Sequence, residues 1–406
     1  MPLSKITAAS ITDNSVTTAK VADDAITGAK IENNPTIAGN LTVSGGFIPS
    51  TSLSTRNIII NGDMSVAQRG TSSTSSNFQT VDRMSVGYGT ISVTQSQQSL
   101  TSGSPYEAGF NNFIRMANTS TSSAAGAYVQ LYHPIEAQHI ANSGWNFKSS
   151  SSFITLSFWA RSSLAGTYYA RVNTDDGTTY YRIKAFALSA DTWTKVTFTI
   201  EGNSNLTINN DNGLGFQVVI VPHYGTTFTG SNASTTAWFT LVSNDYFPDF
   251  AQNWSNTSSA TFDVTGMQLE VGEVATPFKH ESFGDNLQRC QRYFAKSYSI
   301  GTAPAENAEI GFTYTAVSLS GTDVRVPFVT FPVRMRAAPT VQFDEPAYPL
   351  TGGSANQWHY GGVEQYDTPS TSISKDNGFY CSATVAGGST SNAYWTSGEW
   401  TANAEI

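Results

Sequence analysis

Near the start of the chain, apolar residues recur at a fixed interval of five. Ile6, Ile11, Val16, Val21, Ile26 and Ile31 are separated by Thr, Ala, Asp, Asn, Ser and Lys. Five residues turn an α-helix through about 500°, so these positions step around the axis and form no stripe. On a plain strand the odd spacing would throw them onto alternate faces. The pattern fits a repeated short strand and bend with one apolar residue pointing inward per step. Such a unit cannot enclose its own apolar face and needs stacked neighbours or other chains to cover it. Residues 1–55 are therefore expected to form a repetitive stalk that oligomerises, most simply as a homotrimer.

From residue 56 onward the pattern changes to two-residue alternation. In Phe153-Ile-Thr-Leu-Ser-Phe-Trp-Ala160, Ile154, Leu156 and Phe158 share one face, and Thr155, Ser157 and Trp159 the other. Tyr168-Tyr-Ala-Arg-Val172 and Tyr180-Tyr-Arg-Ile-Lys184 flank Asp175-Asp-Gly177, a hairpin signal. Further strands are predicted at 192–200, 215–221, 237–242 and 261–271. Many antiparallel strands with long connections favour a two-sheet jelly roll over 56–281. The rhythm turns helical once, over 282–299. Phe283, Leu287, Cys290 and Phe294 are spaced for an amphipathic helix of about four turns, and Ser282 with Asp285 resembles a capping box. Strands resume at 310–317, 323–333, 340–343, 378–385 and from 393, predicting a smaller C-terminal β-sandwich over 300–406. The expected class is thus mainly β: stalk, jelly roll, short helix, second sandwich.

Composition supports this picture. Only 13% of the 406 residues are charged, whereas 23 Phe, 18 Tyr and 8 Trp accompany abundant hydroxyl and amide side chains. A thinly spread net charge of −9 argues against nucleic-acid or anionic-membrane binding. No apolar run is long enough for a membrane-spanning helix, and the N-terminus lacks the apolar core of a secretory signal. Cys290 and Cys381 make no disulfide framework. They fit a protein made in a cytoplasm, and Cys290 sits on the apolar stripe as a packed thiol.

Several segments resemble a known group. The unit Ile11-Thr-Asp-Asn-Ser-Val-Thr-Thr-Ala-Lys20 looks like the N-terminal repeats of bacteriophage tail fibres and related virion appendages. Asn57-Ile-Ile-Ile-Asn-Gly-Asp-Met-Ser-Val-Ala-Gln-Arg-Gly70, followed by Asp82-Arg83, resembles the opening of a carbohydrate-binding-module-like jelly roll found in phage tail proteins. Gly266-Met-Gln-Leu-Glu-Val-Gly-Glu-Val-Ala-Thr-Pro-Phe278 with Cys290-Gln-Arg-Tyr-Phe294 is the most specific match. Phe331-Pro-Val-Arg-Met-Arg-Ala-Ala-Pro-Thr340 and the ending Trp400-Thr-Ala-Asn-Ala-Glu-Ile406 fit the same group's C-terminal domain. The resemblance implies a virion tail fibre, made in the host cytoplasm. It would join tail or adaptor proteins through its N-terminus and display β-domains to a host surface glycan.

Little catalytic chemistry is visible. No HExxH pair, phosphate-binding glycine loop, CxxC pair or GxSxG elbow occurs, and neither an enzyme nor a cofactor is expected. His133 and His139, with Glu136 between them, would need a third ligand and a helix or hairpin to converge on zinc. Asp175-Asp176-Gly177 lacks the ligand spacing of a Ca²⁺ loop and reads as a turn. Asp245 and Asp249 would suit a glycosidase only if held about 5–10 Å apart across a sugar, which leaves a polysaccharide-trimming enzyme as the alternative. A head-borne decoration protein is the other. Aromatic rings are the stronger signal, because a Tyr or Trp face stacks on the C–H face of a sugar while amides read its hydroxyls. The candidates are Trp254, Tyr246 and Tyr224 in the long loop, with Tyr169 and Tyr181 on the hairpin. The same rings would also suit an interior or an oligomer contact.

Overall fold

Alternating inward and outward side chains organise the first domain into two facing sheets. A computed structural model describes residues 56–305, 312–320, 322–344, 357–361, 365–367, 369–384 and 393–406. The pentad residues Ile6, Ile11, Val16, Val21, Ile26 and Ile31, and the stalk expected from them, lie outside the described residues.

In chain order the first strands are β1 (Ser72–Ser73), β2 (Ser85–Gly89), β3 (Val93–Ser99), β4 (Asn112–Asn118), β5 (Tyr128–Glu136) and β6 (Phe153–Ser162). They are followed by β7 (Gly166–Thr174), β8 (Tyr181–Leu188), β9 (Thr194–Glu201), β10 (Leu214–Tyr224) and β11 (Thr261–Val271). One sheet runs β1-β3-β4-β11-β6-β9 and the other β2-β5-β10-β7-β8, with antiparallel pairing throughout. Ile154, Leu156 and Phe158 of β6 are fully buried and meet Tyr168, Ala170 and Val172 of β7 with Val218 and Ile220 of β10 in one core. This is a jelly-roll sandwich of the expected mainly β class. Strand β11 holds register through a bulge between Thr265 and Gln268. There Gly266 has φ +64, and an added Cβ would come within 2.7 Å of the Phe110 ring. The bulge keeps both Val264 and Met267 in the core.

Two sequence expectations need correction. The segment 237–242 forms no strand; it touches β8 through a single bridge between Tyr181 and Phe239. The helix is also shorter than its apolar spacing suggests, running only Phe283–Gln291. Phe294 falls on β12 (Phe294–Lys296), paired with the last strand of the chain. Tyr293, Phe294 and Ala295 are consecutive and all buried, which one face of a helix does not permit. At the other end Phe283 is left exposed. The cap does form: Ser282 Oγ accepts from Asp285 N at 3.2 Å and donates to the Asp285 carboxylate. Cys290 is buried beside Ile60, Val66 and Tyr293, and burial pushes its thiol well above the ordinary range.

The remaining strands are β13 (Phe312–Ser320), β14 (Asp323–Thr330), β15 (Thr340–Asp344), β16 (Trp358–Gly361), β17 (Gln365–Asp367), β18 (Ser370–Lys375), β19 (Gly378–Thr384) and β20 (Ala393–Asn403). The first half of β20 pairs with β13 and β16, and its second half with β12 and β15. Trp358, Phe379, Cys381, Trp400 and Phe343 fill the core around it. The chain end then returns to the first sandwich. Glu405 pairs with Arg69 and with the buried Arg83, and Ile406 packs beside Cys290 and Tyr293.

Candidate functional site

Period-two alternation gives the five-stranded sheet an outer face as well as a core face. Along β7, Tyr168 points into the core and Tyr169, Arg171 and Asn173 point out. Register lines up Gln217, Asn173 and Tyr181 across β10, β7 and β8; the next outward row is Tyr132, Val219, Arg171 and Ile183. The loop 225–260 folds back over part of this face. Its Phe228, Phe239, Tyr246, Phe247 and Phe250 join Tyr169, Ile183, Val219, Val221 and Tyr224 in a second apolar cluster.

Four of the five rings singled out from sequence are brought together here. Tyr224 and Tyr169 both pack on Phe247, at centroid distances of 5.1 and 5.9 Å. Tyr181 meets Tyr246 at 5.9 Å, and Tyr224 meets Tyr246 at 6.2 Å. Their exposures differ in a way that sorts their roles. Tyr169 and Tyr224 are buried, with hydroxyls donating to Asp249 O at 3.2 Å and Gln130 Oε1 at 2.5 Å. Burial pushes the Tyr224 phenol up to about 12. Tyr181 and Tyr246 remain partly open.

Trp254 is not part of this face and has no exposed ring. It is fully buried in the main core, its Nε1 donating to Thr261 O at 3.3 Å. The polar composition around it suggested a surface loop, whereas the indole is what plugs that loop onto the sandwich. The carboxylates of the loop are likewise engaged: Asp245 accepts from Asn232 Nδ2 at 2.7 Å, and Asp249 from Thr229 Oγ1 at 2.5 Å. Glu136 accepts from Arg292, Tyr293 and Gln138, and His133 lies buried between Ile60 N and Arg83 O.

Sequence reasoning passed over Arg171, which lies at the centre of the face. Its guanidinium carbon stands 5.0 Å from the Tyr181 ring centroid, 5.3 Å from that of Tyr246 and 5.2 Å from that of Phe247. Only 6% of the residue is exposed, and Nε and Nη1 have no hydrogen-bond partner. The signal that would have found it is parity with Tyr169 on an alternating strand. Beyond it, Asn173 Nδ2 and Gln217 Nε2 donate to the two oxygens of Asp175, at 3.0 and 3.3 Å. Burial raises this carboxyl to about 6, against the lowering effect of Arg171.

A cleft of about 820 Å³ lies elsewhere, lined by Arg56, Ile58, His139, Arg289 and Arg292 among others. Its arginines are already paired, with Glu270, Glu281 and Glu136 respectively. It is lined by no Phe, Tyr or Trp ring, so the aromatic face is the stronger candidate.

No family model and no curated protein sequence matches the chain. Among solved structures, about half of it is similar to the enzymatically active domain of tailspike protein 4 of bacteriophage CBA120, with 9% identity and a TM-score of 0.30. That match covers 53% of this chain and 21% of the tailspike chain. A CBM4 structure is 10% identical with a TM-score of 0.28, covering 53% of this chain and 99% of its own. A cyclase from Fischerella sp. TAU is 8% identical with a TM-score of 0.32, covering 55% and 100%. Likenesses at this level carry no argument about ligand or activity, which must come from the residues of this chain.

Proposed function

We propose that this protein is a virion structural protein, a tail fibre that binds host surface glycans through the outer face of the five-stranded sheet. The observation that carries the binding reading is the partly open ring pair Tyr181 and Tyr246 near the partly open amide of Gln217. Rings supply stacking area for sugar C–H faces, and amides read hydroxyls. Tyr169, Tyr224 and Phe247 hold those rings in place from behind.

Attachment to the particle is assigned to residues 1–55, with the pentad residues covered by partner chains in a trimer. Several copies per particle would raise weak single-site binding through effective concentration. A polysaccharide-trimming enzyme is the lesser reading, because Asp245 and Asp249 both serve to brace the loop.

Two measurements test this reading. The full chain should bind a subset of an array of bacterial surface glycans, and Tyr246→Ala should weaken that binding at least tenfold with little change in the melting curve. Retained binding would refute the site. Deleting residues 1–45 should abolish oligomerisation and incorporation into particles; truncated protein that still assembles normally would refute the anchor.

A further inference from the structure

We propose that the outer face of the five-stranded sheet takes an acidic saccharide, one of whose carboxylates docks on the guanidinium of Arg171. The inference rests on the saccharide reading above and names the ligand's class. It starts from a contrast within the sandwich. Arg56, Arg69, Arg83, Arg115, Arg161 and Arg182 each have a carboxylate oxygen within ion-pair distance. Arg171 has none among the described residues, although it is more buried than several of these.

A charge taken from water without a partner is costly. The rings of Tyr181, Tyr246 and Phe247 offset part of that cost through their faces. They leave the guanidinium without a hydrogen bond, Nε and Nη1 being both buried and partnerless. A guanidinium is always charged, and a carboxylate answers it with a charge-assisted hydrogen bond. Tyr181 and Tyr246 then provide the stacking walls that distinguish a saccharide from a bare anion.

A neighbouring negative group works against an anionic ligand, which makes it a second handle on the proposal. Asp175 is hydrogen-bonded to Asn173 and Gln217 at the edge of the same face, and the charged groups acting on it are Arg171 and Asp176. As pH falls through about 6 Asp175 takes up a proton. A sugar carboxylate, with an acidity near that of other carboxylic acids, stays ionised until well below this. Binding of the acidic saccharide should therefore tighten on mild acidification.

The test is calorimetric titration of the full chain with oligogalacturonate, oligoguluronate and oligosialate, each beside its carboxyl-reduced counterpart. At least one acidic form should bind about tenfold or more tightly than its reduced form, the scale of one charge-assisted hydrogen bond. Arg171→Met should erase that difference, and Arg171→Lys should restore part of it. Should the methionine variant fail to fold, Asp175→Asn supplies an independent readout: affinity about threefold higher at neutral pH and no tightening on acidification. Equal binding of acidic and reduced forms would overturn the acidic class and leave the saccharide reading standing. No binding of either would overturn both.

Discussion

Tyr181 of β8 and Tyr246 of the long loop meet edge to face, with ring centroids 5.9 Å apart and planes at 87°, and the guanidinium of Arg171 lies against both. Strand parity delivers the first ring and loop closure the second. The face exists only when the two are brought together, so its rings divide into those that touch a ligand and those that support them.

That division is testable by substitution. Tyr246→Ala removes a partly open ring and should lower glycan affinity at least tenfold with little change in melting temperature. Trp254→Ala should do the reverse and destabilise the fold by about 3–5 kcal/mol, because it empties a fully buried indole site. Parallel melting and binding curves for the two variants check both halves.

The core face of β6 carries a second expectation. Phe158 is fully buried and packs edge to face on Phe186 at 5.5 Å. Phe158→Asp should leave the sandwich unfolded, since a carboxylate there has no partner. Unchanged circular dichroism and melting would mean the strand's faces are assigned the wrong way round.

Glu405 ties the end of the chain back to the first sandwich. It is the ion-pair partner of Arg83, whose side chain is 1% exposed and whose Nη2 donates to Pro134 O at 2.6 Å. Glu405→Gln should cost about 3–5 kcal/mol, the scale for removing one partner of a buried pair. Denaturant unfolding of the full chain measures it.

Stability should also fall on acidification through the buried histidines. His133, His139 and His223 all have pKa values lowered chiefly by burial, His223 to about 4. Below their ordinary value of about 6.5 the unfolded chain takes up protons that the folded chain refuses, so stability present above that pH is lost as pH falls. Asp175 and Asp82 act in the opposite sense, since their carboxyls are raised by burial. At His133, Nδ1 lies 3.1 Å from Arg83 O and Nε2 faces Ile60 N, so a second ring proton would oppose a backbone N–H. His133→Asn should flatten the fall in melting temperature below about pH 6.5.

Alternation made the sandwich legible. The 153–160 pattern gave both faces of β6, and the paired tyrosines marked a hairpin with one ring of each pair turned outward. Composition alone misled at Trp254, since a loop rich in Ser, Thr and Asn carries no sign that its indole turns inward. Spacing misled at Phe294, where a helical interval concealed a strand paired to residues at the far end of the chain. Residues within the 57–70 and 266–278 segments prove to be fasteners. Asn57 Oδ1 accepts from Ile59 N and Leu269 N, and Glu270 accepts from Thr276 N and Thr276 Oγ1. Such residues identify a fold and leave the ligand unspecified; Arg171, which does bear on the ligand, belongs to none of those motifs.

The central claim is that saccharide binds the outer face of the five-stranded sheet. Hydrogen–deuterium exchange of the full chain, with and without the strongest glycan from the array, tests it most directly. Protection should appear in 169–185 and 225–250 and be absent in Tyr246→Ala. Protection confined to the C-terminal strands or to the arginine-lined cleft, with 169–185 and 225–250 unchanged, would contradict it.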